Sequence, residues 1–140
     1  MDVLKWRPPD RSSALQAIDV ASNMIKHASN GLQEQKYLET FNNSRDAMRF
    51  AASAILLKDG KSADTLDETM LYLKKHYPND IPIEGWSAIE SQIIGSDPGL
   101  LNLIIRLIGK IKKTSAEDDA RYALNTAIEF LQNVKRMVEL

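Results

Sequence analysis

The sequence predicts an all-α protein, an antiparallel up-and-down four-helix bundle with one short extra helix. Three observations lead there. Apolar residues recur at the helical period of 3.6 along most of the chain, not in the alternation of a half-buried strand. All five prolines (Pro8, Pro9, Pro78, Pro82, Pro98) fall between the periodic segments, as do Gly60, Gly85 and Gly95. No stretch reads convincingly as a strand.

The first helix is expected to start near Asp10 or Ser12, after Pro8-Pro9, and to run to about Ser29. Leu15, Ile18, Val20, Ala21, Met24, Ile25 and Ala28 give its apolar stripe, and Asn30-Gly31 is a plausible C-terminal cap. A second helix follows from about Lys36 to Lys58 and stops at Asp59-Gly60. The third spans about Thr65 to Tyr77, where Thr65 with Glu68 reads as a capping box, or Ser62 caps one turn earlier. Leu66, Met70, Leu71 and Leu73 should face inward, and Pro78 ends it. A shorter, weaker helix covers about Gly85 to Ile94. Asp97-Pro98 then signals a helix start, with an acceptor at the cap and proline in the first turn. That helix, about Pro98 to Lys113, is apolar over more than half of its circumference and must touch more than one neighbour. The last helix begins at Ser115 with Glu117, Asp118 and Asp119 in its first turn, as the helix dipole favours. Its stripe is Ala120, Ala123, Leu124, Ala127, Leu131, Val134 and Val138.

With 140 residues and no cysteine, the chain reads as one domain, 1–140, with an irregular segment at 1–10. At this size a hydrophobic core suffices without disulfide or metal. A thiolate nucleophile and a cysteine-based zinc site are excluded, and a reducing cytoplasm fits. The start of the chain does not look like a signal peptide. No run approaches the roughly 18 apolar residues a membrane span needs. The reading is a soluble cytoplasmic protein without membrane association. A net charge of −1 argues against strong nonspecific nucleic-acid binding. The charge is uneven, however. Residues 61–97 carry three basic and seven acidic groups, and residues 98–113 carry four basic and none acidic. These two segments are suited to pair with each other.

The second helix is unusual. At 100° per residue, Phe41, Met48, Ala52, Ile55 and Leu56 share one arc, Phe50, Ala54 and Leu57 cover the opposite side, and Arg45 lies among the first set. A helix apolar on every face is a buried one, and a guanidinium buried without a partner is expensive. Two readings follow for Arg45 and Arg49, one turn apart. Their guanidinium forks grip a phosphate or carboxylate ligand, or they are neutralised internally by Asp46, Glu39 or an acid of the last helix.

Three stretches together resemble a known family. ALQAIDVASNMIKHA is followed by the alanine-rich FNNSRDAMRFAASAILLKDG; TLDETMLYLKKHYP supplies a polar turn and helix; SAEDDARYALNTAIEFLQNVKRMV resembles an alanine-spaced last helix ending in EFL-x-x-V. In this order, over about residues 12 to 138, the chain resembles the HEPN family (higher eukaryotes and prokaryotes nucleotide-binding domain). The resemblance implies a helical bundle, commonly a homodimer, in a toxin–antitoxin-like setting. Some members are metal-independent endoribonucleases with an arginine followed four to six residues later by a histidine. Others bind nucleotides or partner minimal nucleotidyltransferases. Here the only histidines are His27 and His76, and neither follows an arginine at that spacing. The ribonuclease motif is absent.

Other candidates carry a functional and a structural reading side by side. Arg106 and Lys110, with Lys112 and Lys113, either meet phosphates or form a solvated helix face. His76 is a base or a helix-end cap, and His27 reads as a half-buried structural residue. Tyr122 points away from the last helix's stripe, so it and Trp86, like Trp6, are interface candidates; equally, the helix around Trp86 plugs one end of the bundle. No phosphate loop, zinc-protease motif, calcium loop or nucleophile elbow occurs, so neither a cofactor nor a catalytic residue is expected. The preferred reading is a non-catalytic HEPN-like protein that binds a nucleotide, RNA or a partner such as a minimal nucleotidyltransferase. The alternatives are a degenerate endoribonuclease working through Arg121 or His76, and a purely structural oligomerisation module.

Overall fold

The first helix of the computed structural model, α1 (Arg11–Gln33), starts where an acceptor side chain meets it. Asp10 Oδ1 accepts from the Ser13 backbone N–H at 2.9 Å and Oδ2 from the Ser13 hydroxyl at 2.7 Å, which satisfies donors a helix start leaves open. The structure describes residues 4–94 and 116–139. The predicted helix over 98–113, with its candidates Arg106 and Lys110, lies outside them. The remaining elements are α2 (Tyr37–Asp59), α3 (Leu66–His76), α4 (Ile83–Ile94) and α5 (Ala116–Glu139). The fold is an all-α bundle, and among the described residues no helix is long and apolar enough to cross a membrane.

Two expected boundaries move: α4 starts at Ile83, so that Gly85 lies inside it and not between segments, and α1 ends later. α1 does not stop at Asn30-Gly31 but continues to Gln33, and the left-handed residue after it is Gln35 (φ 62°). Gly31 is buried inside the helix for a packing reason: a Cβ there would lie 2.9 Å from Thr40 Oγ1 of α2. Thr40 in turn donates to the Ala28 carbonyl at 2.9 Å. The absent methyl lets the two helices touch where their connection closes.

At its other end α2 finishes as the sequence indicates. Gly60 adopts φ 70°, and its N–H bonds the Leu56 and Leu57 carbonyls, the left-handed cap that glycine reaches without strain. This cap also anchors the start of the chain. Arg7 N–H donates to the Gly60 carbonyl and Asp10 N–H to the Leu57 carbonyl, both at 2.9 Å. Beside them two short strands, β1 (Lys5–Trp6) and β2 (Lys61–Ser62), pair antiparallel. They correct the expectation of an irregular segment and no strand; two residues are too few to show a periodicity. The third helix is capped by Thr65, whose hydroxyl accepts from the Glu68 N–H at 3.2 Å, while Glu68 reaches back to the Asp64 N–H at 2.9 Å.

α2 packs against α1, α3, α4 and α5, which is why it is apolar nearly all round. Ala47, Met48, Ala51, Ala52, Ala54, Ile55 and Leu56 are buried, and four alanines among them allow close helix approach. Every residue of the predicted α5 stripe is buried, joined by Phe130. Arg11 of α1 donates to the Glu139 carbonyl at 3.3 Å, so α5 ends beside the start of α1 and runs antiparallel to it. Two inward assignments fail. Val20 on α1 is partly exposed, and Leu71 on α3 is 65% exposed because Tyr72 takes the buried side instead.

Candidate functional site

The two arginines of α2 and two carboxylates form one cluster. Arg45 Nε donates to Asp46 Oδ1 at 3.0 Å. Sequence neighbours do not face each other on a helix, but the long arginine stem folds back far enough. Arg49 engages Glu90 of α4 with both prongs: Nε to Oε1 at 2.8 Å and Nη2 to Oε2 at 2.7 Å. Its Nη1 is 3.9 Å from Asp46 Oδ1. Glu90 is 2% exposed and also accepts from Trp86 Nε1 at 3.1 Å. The Glu90 hydrogen bond, ahead of the opposing effect of burial, raises the Arg49 pKa above its ordinary value. Of the expected internal partners, Asp46 is present for Arg45; the partner of Arg49 comes from the short helix, 41 residues away.

Both candidate anion ligands are thus already bound by carboxylates. The exposed side of Arg49 borders a small hollow of about 330 Å³ shared with Ser53, Asp64 and Thr69. Asp64 there is already paired with Lys5 at 3.2 Å.

Trp86 is corrected as an interface candidate: it is 0% exposed. Its ring meets Phe130 edge-on at 5.3 Å and 78°, and its N–H is taken by Glu90. It closes the α4–α5 seam from inside. Tyr122 is placed as expected, 52% exposed on α5. Trp6 is also exposed. His27 is exposed rather than half-buried, because its neighbour Ala28 takes the buried position. His76 lies on the surface with its ring 4.4 Å from that of Tyr72, and Arg121 pairs with Glu117 one turn before it at 2.8 Å.

A second polar cluster joins α2 to α3. Asp59 Oδ2 accepts from Tyr72 at 2.9 Å and from Tyr77 at 2.6 Å, while Lys58 Nζ lies 2.9 Å from Oδ1. Burial alone would raise the Asp59 pKa, yet the hydrogen bonds from Tyr77, Lys58 and Tyr72 outweigh it and hold the carboxyl below its ordinary value. Burial, and then the bond to Asp59, pushes the Tyr77 hydroxyl up. Both tyrosines are therefore fixed as donors, and the cluster fastens α3 to the end of α2.

A wider opening lies elsewhere. α3, the 78–82 connection, α4 and α5 enclose a groove of about 1140 Å³. Leu71, Met70 and Tyr122 give it an apolar surface, and Ile81 and Ile83 reach it from the core. Asp67, Glu84 and Glu129 line it against one base among the described residues, Lys74. Among the described residues none of these three carboxylates has an ion-pair partner. Sequence reasoning picked out Tyr122 but missed the groove. The available signal was the acidic excess of residues 61–97, with Leu71 as a leucine too many for the inner face of α3.

Among the described residues no group of three or more His, Cys, Asp or Glu side chains is arranged to hold a metal. No family model matches the chain, and no curated protein or solved structure matches it either.

Proposed function

We propose that this is a non-catalytic helical binding protein of HEPN-like character whose ligand is a partner protein, held in the α3–α4–α5 groove. A minimal nucleotidyltransferase is the partner class the sequence resemblance implies. The observation that carries the reading is the groove itself: apolar surface in contact with solvent, bordered among the described residues by three carboxylates and a single ammonium, Lys74. Exposed apolar patches of this kind are suited to protein contact. Nucleotide and RNA fit less well. A phosphate would meet three carboxylates and one ammonium in the groove, and at the α2 cluster it would have to displace Asp46 or Glu90. A second copy on this face would set acidic rim against acidic rim, so a homodimer would use another face.

The test is a photo-crosslinking amino acid placed at Leu71, with Gln132 on the exposed side of α5 as control, in the native host. An adduct to another protein at position 71 and none at 132 is the expected result. Calorimetric titration with ATP and with a single-stranded RNA oligonucleotide should give no binding heat. Binding of either ligand, lost in Arg49→Ala while the fold persists, overturns the proposal.

A further inference from the structure

We infer that the groove takes an amphipathic α-helix with a basic polar face, supplied by a partner protein; this rests on the function proposed above and names the chemistry of its ligand. The helical form follows from the walls. Where α3, α4 and α5 form them, the wall backbone groups are bonded within helices, so an extended segment would find few partners there for its own N–H and C=O groups. Unpaired buried backbone groups are costly. A helix brings its backbone already satisfied and needs only to present an apolar stripe. The space is right for one. With a diameter of about 10 Å and a pitch of 5.4 Å, about three helical turns occupy on the order of 1200 Å³, against about 1140 Å³ in the groove.

The basic face follows from the rim. Among the described residues Asp67, Glu84 and Glu129 outnumber Lys74, and they come from three different helices, so no single wall supplies the charge. Lysines or arginines flanking the occupant's apolar stripe would meet them across the rim. Such exposed pairs add specificity and speed of encounter more than affinity, and they weaken with salt. Leu71 and Tyr122, both largely exposed, are the natural apolar anchors.

Two synthetic helical peptides test this on the full chain by fluorescence anisotropy. They share one leucine stripe and differ in carrying lysine or glutamate on the polar face. The lysine peptide should bind at least about tenfold more tightly at low salt, with affinity falling as salt rises. Leu71→Asp should abolish binding. Glu84→Lys combined with Glu129→Lys should invert the preference toward the glutamate peptide, a readout that nonspecific attraction to an acidic surface would not produce without Leu71. Equal binding of both peptides, no binding, or no inversion overturns the inference. So does a position-71 crosslink that maps within the same chain to residues 98–113, or to a second copy, because either identifies a different occupant. If position 71 crosslinks a foreign protein while the peptides fail, only the basic-helix inference falls; if neither works, the proposed function falls with it.

Discussion

Arg49 and Glu90 face each other through two parallel hydrogen bonds of 2.8 and 2.7 Å, yet they stand in unequal surroundings. Glu90 is 2% exposed and Arg49 is 40% exposed. The pair joins the central helix α2 to α4, and the Trp86 N–H shares one of its oxygens.

Removing either partner therefore has different consequences. Arg49→Ala strands a buried carboxylate, which should cost roughly 3–5 kcal/mol. Glu90→Gln leaves an arginine able to turn to water and keeps an acceptor for Trp86, so the cost should be smaller, about 1–2 kcal/mol. The double substitution Arg49→Leu with Glu90→Leu should recover much of the Arg49→Ala loss. Urea unfolding of the variants measures this, and equal costs for the two single changes would contradict the asymmetry. Any binding defect of Arg49→Ala must be interpreted against its stability.

Asp59 makes part of the stability pH-dependent. Its carboxyl is held below the ordinary value in the folded chain, so its contribution is fully present above the unfolded pKa, about 3.9. The contribution is lost as pH falls through the lower folded value. Asp59→Asn should cost about 1–3 kcal/mol near neutral pH. The melting-temperature gap between the two proteins should narrow below about pH 4. A gap unchanged across that range would remove the carboxylate from the account.

Gly31→Ala tests the closure of the α1–α2 turn. Alanine is the better helix former by about 1 kcal/mol, but its methyl would sit 2.9 Å from Thr40 Oγ1. Overpacking of this kind typically costs about 1–3 kcal/mol, so the net change should be destabilising. In the Thr40→Ala background the alanine at 31 should cost less than in the native chain. A double-mutant cycle by thermal unfolding reads this coupling; additive effects would show that the contact is relieved another way.

Leu71→Asp should leave stability within about 0.5 kcal/mol, because the side chain is 65% exposed, while abolishing partner capture at the groove. A large loss of stability would show that Leu71 belongs to the core.

The helices were legible because their signals are local. Thr65 with Glu68, Asp59-Gly60, the acidic first turn of α5 and the alanine stripe of α5 all act within a few residues, and each appears at its expected place. Gly31 misled for the same reason: read locally, a glycine after asparagine ends a helix, whereas its role is to admit Thr40 from the next one. Leu71 and Tyr72 exchanged places because Asp59, thirteen residues from Tyr72, draws the tyrosine to the buried side.

Periodicity, caps and composition are short-range properties, so the amino-acid order alone determined the fold class and the approximate course of the described helices, and left open whether the arginines of α2 are neutralised internally or hold a ligand. Which acid compensates Arg49, that Trp86 points inward, and that Asp67, Glu84 and Glu129 converge on one groove were decided only by tertiary packing. Those relationships join residues on separate helices, and no local pattern carries the distance between them.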